Sequence, residues 1–374
     1  MTAPRYVAAL DGMRGIAVLM VLACHFSQTI PVSTKLGAFL NQVFYGGWAG
    51  VDAFFVLSGY LITSGLILDS GHGTPRVRDK MRRFYIRRTL RIFPLYYATL
   101  LIGSLLSLWF GSMVPSPSFW LYIDNLPGVP GNQPSWTGHL WSLAIEEQFY
   151  LMWPAVMLLL PRARARATIA LLLACVASRF VILFWPTLDF NTATGIVYRA
   201  TFGHADGLLA GALVAIVERD RTSNAARVWL RLRVPGLFLL SLAVLIPRFL
   251  TVISDPVTRV SWGLEIFVLA YGFAVVVSII VDPSQPSRLK DWLSARWLVA
   301  CGRVSYGMYL FHWPLTWLIR PKFRPWIESL SPSTGVLAHV ALMPVGALII
   351  FGIAQFSYRF FESPFLRLKN RFAE

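Results

Sequence analysis

Charged side chains are scarce in this chain of 374 residues: they make up 14% of it, whereas 56% of the residues are hydrophobic. A soluble protein carries about 25% charged residues, so the scarcity excludes an ordinary soluble protein and indicates a polytopic membrane protein. Acidic residues are especially few, with 18 Asp and Glu against 34 Lys and Arg. Because the cations gather in alternate short loops, we expect them to orient the chain in a bilayer and not to bind nucleic acid.

Cysteine is also rare, and Cys24, Cys175 and Cys301 lie far apart in the sequence. Three scattered cysteines argue against a disulfide framework and a zinc site, so we expect no metal. The N-terminus lacks the basic segment and the small-residue cleavage site of a signal peptide, so we expect the first apolar segment to be retained. There is no internal repeat and no long polar segment. A single transmembrane domain over residues 1–374 is therefore expected.

Apolar segments of the length that spans a bilayer, about 20 residues, recur along the whole chain. They predict an all-α membrane protein with about ten transmembrane helices, at 10–30, 47–68, 92–112, 140–160, 168–185, 200–217, 234–251, 260–281, 302–320 and 335–356.

The loops between these segments differ in charge. Arg and Lys are dense in alternate loops and in the tail, namely in 69–91, 161–167, 218–233, 282–303 and 359–371. The opposite loops are poorer in cations apart from Arg320, Lys322 and Arg324, and 113–139 has none. Both termini are therefore expected in the cytoplasm. Pro, Gly and aromatic residues are frequent in 113–139, which predicts a structured external lid.

Two ionisable residues, Arg14 and His25, lie within the first apolar segment. Eleven helical steps of 100° come to about 20° beyond three full turns, so the two side chains share a face, about 16 Å apart along the axis. An ionisable residue inside a membrane span indicates a functional site. With the expected topology, Arg14 lies near the cytoplasmic end of the span and His25 in its outer half.

Carboxylates are predicted at the depth of His25. Asp52 lies about one turn below the outer edge of the second span, and Glu146 and Glu147 lie one to two turns below the edge of the fourth. A neutral imidazole can take a proton from a hydroxyl while a carboxylate holds it in the right tautomer. We therefore expect these four residues to be catalytic, with either Glu146 or Asp52 orienting His25. The alternative is a buried polar network that only fixes helix packing.

The outer ends of the spans offer candidate contacts for an acceptor. His139 is expected at the outer rim, with Ser142 below it, and Trp136 with Trp120 and Tyr122 provides aromatic faces for sugar rings. We assign Trp136, His139 and Ser142 to substrate binding. Aromatic residues are common at membrane interfaces in any case, so anchoring is the alternative.

The basic stretch RRFYIRRTLRIFPLYY contains Arg88-x-x-Arg91 at the inner mouth of the third span. Arginine forks bind phosphates bidentately, so a phosphate-rich cytosolic ligand is expected at Arg88 and Arg91, together with Arg14. Simple anchoring by snorkelling side chains is the alternative.

Four other residues have simpler interpretations or remain undecided. His204 and Asp206 are expected to make helix contacts and not to bind a metal, and Gly211 indicates close helix packing. His312 lies in the middle of a span, where both a functional role and a packing role are open.

Six segments in order resemble the acyltransferase-3 family of integral membrane O-acyltransferases. They are LDGMRG with His25, GVDAFFVLSGYLIT at 50–63, RRTLRIFPLYY at 87–97, HLWSLAIEEQFYLMWP at 139–154, SYGMYLFHWPL at 305–315 and RFFESP at 359–364. The family's Arg-x10-His pair maps onto Arg14 and His25, and its Arg-x-x-Arg motif onto Arg88 and Arg91.

The resemblance implies transfer of an acyl group, often acetyl, from cytoplasmic acyl-CoA to a hydroxyl of an extracytoplasmic glycan. Acyl-CoA is then a co-substrate, and no permanently bound cofactor is expected. We expect the protein in the bacterial plasma (inner) membrane. Some relatives carry a C-terminal hydrolase-like domain; we expect none here, so a second transfer step is expected to need a partner protein.

Two alternatives stay open. Ten spans with intramembrane carboxylates and histidine also describe a proton-coupled secondary transporter. The acceptor of an acyltransferase is also open, because a lipid or the sugar of a secondary metabolite carries hydroxyls as a glycan does.

Overall fold

A computed structural model describes residues 6–28, 30–69, 76–129, 133–219, 221, 223–249, 255–282 and 287–370, which fold into helices joined by short turns. The helices are α1 Ala8–Ser27, α2 Lys35–Tyr45, α3 Gly50–Asp69, α4 Val77–Trp109, α5 Pro117–Trp120, α6 Trp141–Leu159, α7 Arg164–Leu183, α8 Phe190–Arg199, α9 Thr201–His204, α10 Asp206–Arg219, α11 Asn224–Phe249, α12 Asp255–Val281, α13 Arg288–Leu293, α14 Arg296–Arg303, α15 Ser305–Ser329, α16 Pro332–Ser357 and α17 Ser363–Asn370.

Seven helical stretches in the described part of the chain are long and apolar enough to cross a membrane: 8–27, 35–68, 77–109, 164–183, 226–245, 256–281 and 332–368. The other three predicted spans are also helical, as α6, α9 with α10, and α15. Glu146 and Glu147 lower the hydropathy of α6, and α10 has only 14 residues. An integral membrane protein is therefore supported, and the count of ten stays a prediction.

Helix α4 corrects the expected boundary of the third span. It begins at Val77 and runs for 33 residues, so the basic stretch from 77 to 91 is helical and not a loop. At 1.5 Å per residue α4 is about 50 Å long, well beyond the ~30 Å of a bilayer core. Arg and Lys are good helix formers, which explains why the charged stretch continues the helix.

Helices α3 and α10 approach each other closely through glycine. A Cβ atom on Gly211 would lie 2.0 Å from the Val56 carbonyl oxygen, and one on Gly59 would lie 1.9 Å from that of Leu208. Any larger residue would force the backbones apart, so the expectation that Gly211 serves close packing is confirmed. Helix α3 also packs against α1 and α6.

The segment that follows α4 folds back along that helix. The Tyr96 hydroxyl donates to the Phe119 carbonyl at 2.8 Å, and the Tyr97 hydroxyl donates to the Trp120 carbonyl at 3.0 Å. Tyr96 lies 13 residues before the end of α4, or about 20 Å along its axis. The described parts of the predicted external lid, 113–129 and 133–139, are therefore structured, but they lie beside α4 and not above it; 130–132 lie outside the described residues.

Non-helical backbone at this depth needs internal hydrogen-bond partners, because lipid supplies none. Gln148 of α6 donates to the Tyr122 carbonyl at 2.7 Å and to the Asn125 side chain at 2.8 Å. Asn125 donates in turn to the Arg199 carbonyl at 3.1 Å and to the Thr201 hydroxyl at 3.0 Å. Two side-chain amides thus hold the re-entrant segment, residues 117–126, against α6, α8 and α9.

Candidate active site

A cavity between α1, α3, α4, α6 and α15 collects the predicted cationic residues. Arg14, Arg88 and Arg91 line it together with Glu146 and Glu147. Arg88 and Arg91 share a face of α4 because they are three residues apart. The structure therefore brings all three arginines of the expected phosphate site to one place, along with two of the four expected catalytic residues. We call this space the arginine cavity.

The carboxylates of the arginine cavity have different partners. Glu146 Oε1 accepts a hydrogen bond from the Ser58 hydroxyl at 2.6 Å. Glu147 Oε1 is buried and has no hydrogen-bond partner among the described residues. The Arg88 guanidinium packs over the Tyr150 ring at 5.1 Å and the Phe84 ring at 5.9 Å. The cation is thus held by aromatic faces near the carboxylates.

A wider vestibule adjoins the arginine cavity. Its volume is about 680 Å³, and Arg14, Arg91 and Tyr306 line both spaces. The remaining charged residues of the vestibule are mainly cationic: Arg303, Arg359 and Arg367, with Asp11 and Glu362. Asp11 lies 3.3 Å from Arg14. An anionic ligand larger than one phosphate therefore fits the charge of the two connected spaces.

His25 lies in a separate cluster of aromatic rings. Its Nδ1 atom is 2.9 Å from Nε2 of His312, and its ring centroid is 4.4 Å from that of Trp313. His139 packs edge-on against His312, with centroids 5.1 Å apart. Both ring nitrogens of His139 are buried and have no hydrogen-bond partner in the described part of the molecule. We call His25, His139 and His312 the histidine cluster.

Tyr309 joins the histidine cluster to the arginine cavity. Its side chain lines the cavity with Ser142. On the other side its ring centroid lies 5.4 Å from that of His139 and 5.3 Å from that of His312. Tyr309 therefore lies between the arginine cavity and the histidine cluster.

Asp52 does not reach His25, contrary to our expectation. Its Oδ1 atom lies 3.0 Å from Nε2 of His204, and both side chains are fully buried. Nearby, Arg179 and Asp206 form a second buried pair at 2.8 Å. The rotation of α3 points Asp52 toward His204 of α9 and not toward His25. His204 and Asp206 make helix contacts, as expected.

Neither Glu146 nor Glu147 is among the hydrogen-bond partners of His25 in the described part of the chain, although His312 is one of them. Four catalytic residues were expected together. The structure instead divides them into Glu146 and Glu147 in the arginine cavity, His25 in the histidine cluster, and Asp52 beside His204.

The three residues assigned to substrate binding are buried in different surroundings. The Trp136 indole donates to the Ser107 hydroxyl at 3.0 Å and packs against α4, which corrects the expectation of a free aromatic face. His139 lies in the histidine cluster, and Ser142 lines the arginine cavity. The other two expected platforms, Trp120 and Tyr122, stack on Tyr97 and Tyr96, with centroids 5.9 and 4.2 Å apart.

Sequence reasoning missed Tyr309 and left His312 undecided. The available signal was their spacing of three residues in SYGMYLFHWPL, which places a phenol and an imidazole on one face of α15. The described residues contain no cluster of three or more His, Cys, Asp or Glu side chains that could hold a metal. The arrangement combines an anion-binding cavity with a separate base, which suits group transfer from a phosphorylated donor.

Comparison with known proteins supports acyl transfer. A family model of the acyltransferase domain matches residues 7–355. YrhL of Bacillus subtilis is 30% identical over 380 residues, which cover 96% of this chain and 55% of YrhL. Peptidoglycan O-acetyltransferase OatA of Listeria monocytogenes is 30% identical over 388 residues, covering 96% of this chain and 56% of OatA. O-acetyltransferase OatA of Staphylococcus aureus is 27% identical over 382 residues, covering 97% and 58%.

This chain spans a little more than half the length of these relatives. No solved structure matches it. The matched family region includes the arginine cavity and the histidine cluster, as well as the re-entrant segment. The chain belongs to the acyltransferase-3 family.

Proposed function

We propose that this protein is a membrane O-acyltransferase that moves an acetyl group from acetyl-CoA to a hydroxyl of an extracytoplasmic glycan. The observation that carries the proposal is the position of Arg14, Arg88 and Arg91 around one cavity, next to a cluster that contains His25. Relatives named as O-acetyltransferases, one of them for peptidoglycan, favour acetyl as the group and a glycan as the acceptor.

The donor enters from the cytoplasmic side in this proposal. Arg88 and Arg91 bind one phosphate group of coenzyme A, and Arg14 lies at the junction of cavity and vestibule, where a second phosphate meets it. The cationic vestibule residues Arg303 and Arg359 favour the nucleotide end of the molecule. Glu146 and Glu147 remain in the proposal as acceptors for the amide groups of the donor, but no longer as partners of His25.

His25 supplies the base. Its imidazole takes the proton of the acceptor hydroxyl as the oxygen attacks the thioester carbon, and it returns that proton to the leaving thiolate. In an alternative route His25 first carries the acyl group: the nitrogen–carbon bond forms as the carbon–sulfur bond breaks and the thiolate leaves. The acceptor oxygen then displaces the imidazole from the acyl carbon, and the imidazole takes the hydroxyl proton and passes it to the thiolate. Both routes need the donor to pass Tyr309. A partner protein for a later transfer step also belongs to the proposal.

Radiolabelled acetyl-CoA given to purified protein in lipid nanodiscs tests the activity. An acyltransferase hydrolyses the thioester or passes the label to an added glycan. A secondary transporter does neither, and that result would reject the proposal.

His25→Ala should lose about 100-fold or more in transfer, as removal of a general base does, while its insertion and its affinity for coenzyme A stay normal. Full transfer by a properly inserted His25→Ala protein would remove His25 from the mechanism.

A deletion strain identifies the acceptor class. Acetyl signals missing from the surface glycan by NMR support a glycan acceptor. Signals missing from the lipid extract or from a secreted metabolite, with the glycan unchanged, would replace the glycan by that acceptor.

A further inference from the structure

His312 is hydrogen-bonded through both of its ring nitrogens. Its Nδ1 atom lies 2.5 Å from the carbonyl oxygen of Tyr309, one turn earlier in α15, and its Nε2 atom lies 2.9 Å from Nδ1 of His25. The side chain is completely buried. The ring is therefore fixed at both ends, and its two contacts are of different kinds.

These contacts determine where the protons are. A carbonyl oxygen only accepts hydrogen bonds, so Nδ1 of His312 carries the hydrogen. No carboxylate contacts His312 in the described part of the chain, and a buried charge without a partner is costly, so the ring is neutral. Its Nε2 atom is then an acceptor, and Nδ1 of His25 must be the donor. The remaining nitrogen of His25, Nε2, holds the lone pair.

We propose that His312 is a positioning residue that holds His25 in its Nδ1–H tautomer, so that Nε2 is the atom that acts on the acceptor hydroxyl. The proposal rests on the proposed function in so far as His25 is the base. The role resembles that of the orienting member of a catalytic triad, although a neutral imidazole takes the place of the carboxylate that we expected.

The proton balance is consistent with this role. The hydroxyl proton moves to Nε2 of His25 while the oxygen–carbon bond forms and the carbon–sulfur bond breaks. The imidazolium so formed still donates from Nδ1 to His312, and this hydrogen bond is stronger once the donor is charged. The proton on Nε2 then goes to the leaving thiolate, and His25 returns to its starting tautomer.

Neighbouring aromatic rings pack against His25 and His312 and restrict the positions of the two imidazoles. Trp313 packs against His25 at 4.4 Å, and His139 packs against His312 at 5.1 Å. The Thr316 hydroxyl donates to the His312 carbonyl at 2.6 Å.

Nitrogen NMR of protein labelled with ¹⁵N-histidine tests the tautomer directly. The chain has six histidines, and His339 serves as an internal reference. Its Nε2 atom lies 2.9 Å from the Phe26 carbonyl, so it must be an Nε2–H tautomer. We expect His25 and His312 as Nδ1–H tautomers in the wild type. In His312→Leu the His25 signal should change to a mixture or to the Nε2–H form. An unchanged His25 tautomer in that variant would overturn the proposal, whether or not the protein shows acetyl transfer.

Kinetics separate positioning from mere packing. His312→Leu should lower kcat about 10- to 100-fold, the usual effect of losing an orienting hydrogen bond, with an unchanged KM for acetyl-CoA. His312→Gln should recover most of this loss, because the amide oxygen can accept from His25 Nδ1. His339→Gln is the matched control and should retain full activity. Equal losses in His312→Leu and His312→Gln, with both proteins folded, would contradict the positioning role.

Discussion

The hydroxyl oxygens of Tyr309 and Ser142 lie 2.5 Å apart, and the Tyr309 hydroxyl is also 3.0 Å from the carbonyl oxygen of His139. Both side chains are buried. The Ser142 hydroxyl oxygen lies 3.2 Å from the same His139 carbonyl oxygen. Whichever of the two hydroxyls donates to the other, the second one can therefore donate its hydrogen to this carbonyl. Helices α6 and α15 are thereby joined where the arginine cavity meets the histidine cluster.

Removal of the Tyr309 ring should increase wasteful hydrolysis. Tyr309→Ala leaves space for water between cavity and cluster, and exclusion of water is what protects a reactive thioester. We expect acetyl-CoA hydrolysis without acceptor to rise several-fold. Tyr309→Phe keeps the ring and loses only the hydroxyl contacts, so it should hydrolyse at the wild-type rate. Release of coenzyme A, measured with a thiol reagent, reports both rates. Equal hydrolysis by the folded Ala variant and the wild type would show that Tyr309 is not a barrier.

The sequence predicted the helical segments well because hydropathy is a property of one segment at a time. In the described part of the chain, each of the ten apolar segments is mainly helical. The re-entrant segment was harder to predict, since its polar backbone is satisfied by Tyr96 and Gln148, which are distant in sequence. Composition indicated that residues 113–139 are structured but carried no information on where they pack.

The candidate site was predicted only in part, because a helical pattern reports which residues share a face of one helix but not which neighbouring helix that face meets. Arg88 and Arg91 share a helical face, and the structure places both with Arg14 around one cavity. Asp52 was matched to His25 by depth alone. The rotation of α3 about its axis, which the packing of Gly59 and Gly211 determines, decides which neighbour a residue meets, and hydropathy does not report that angle.

The position of Asp52 predicts a structural role. Asp52→Asn should keep acetyl transfer within about twofold of wild type, because the amide can still donate to Nε2 of a neutral His204. Asp52→Ala should lower stability by about 3 kcal/mol or more, since breaking a buried pair leaves a polar group without a partner. Thermal melting and transfer assays in nanodiscs measure the two effects. A loss of 100-fold in Asp52→Asn at normal stability would instead return Asp52 to the catalytic group.

Gln148 should be critical for the re-entrant segment. Gln148→Leu leaves the Tyr122 carbonyl and the Asn125 side chain without their donor, and each unsatisfied buried group costs about 1–3 kcal/mol. We expect a clear fall in melting temperature and faster hydrogen exchange over residues 117–126. Gln355→Leu, the same change at an exposed position of α16, is the control and should leave both unchanged. Wild-type exchange in the Gln148 variant would show that other contacts hold this segment.

Arg88 should determine donor affinity. Its charge-assisted hydrogen bonds to a phosphate are worth about 1.5–3 kcal/mol, so Arg88→Ala should weaken coenzyme A binding about 10- to 100-fold, measured by calorimetry in nanodiscs. The matched control is Arg82→Ala, because Arg82 lies on the same helix but is exposed and does not line the cavity. Arg82→Ala should bind coenzyme A as the wild type does. Added salt should reduce wild-type affinity more than that of Arg88→Ala, since one cation is already lost. Equal affinity in both variants would place the phosphate site elsewhere and leave Arg88 as an anchoring residue.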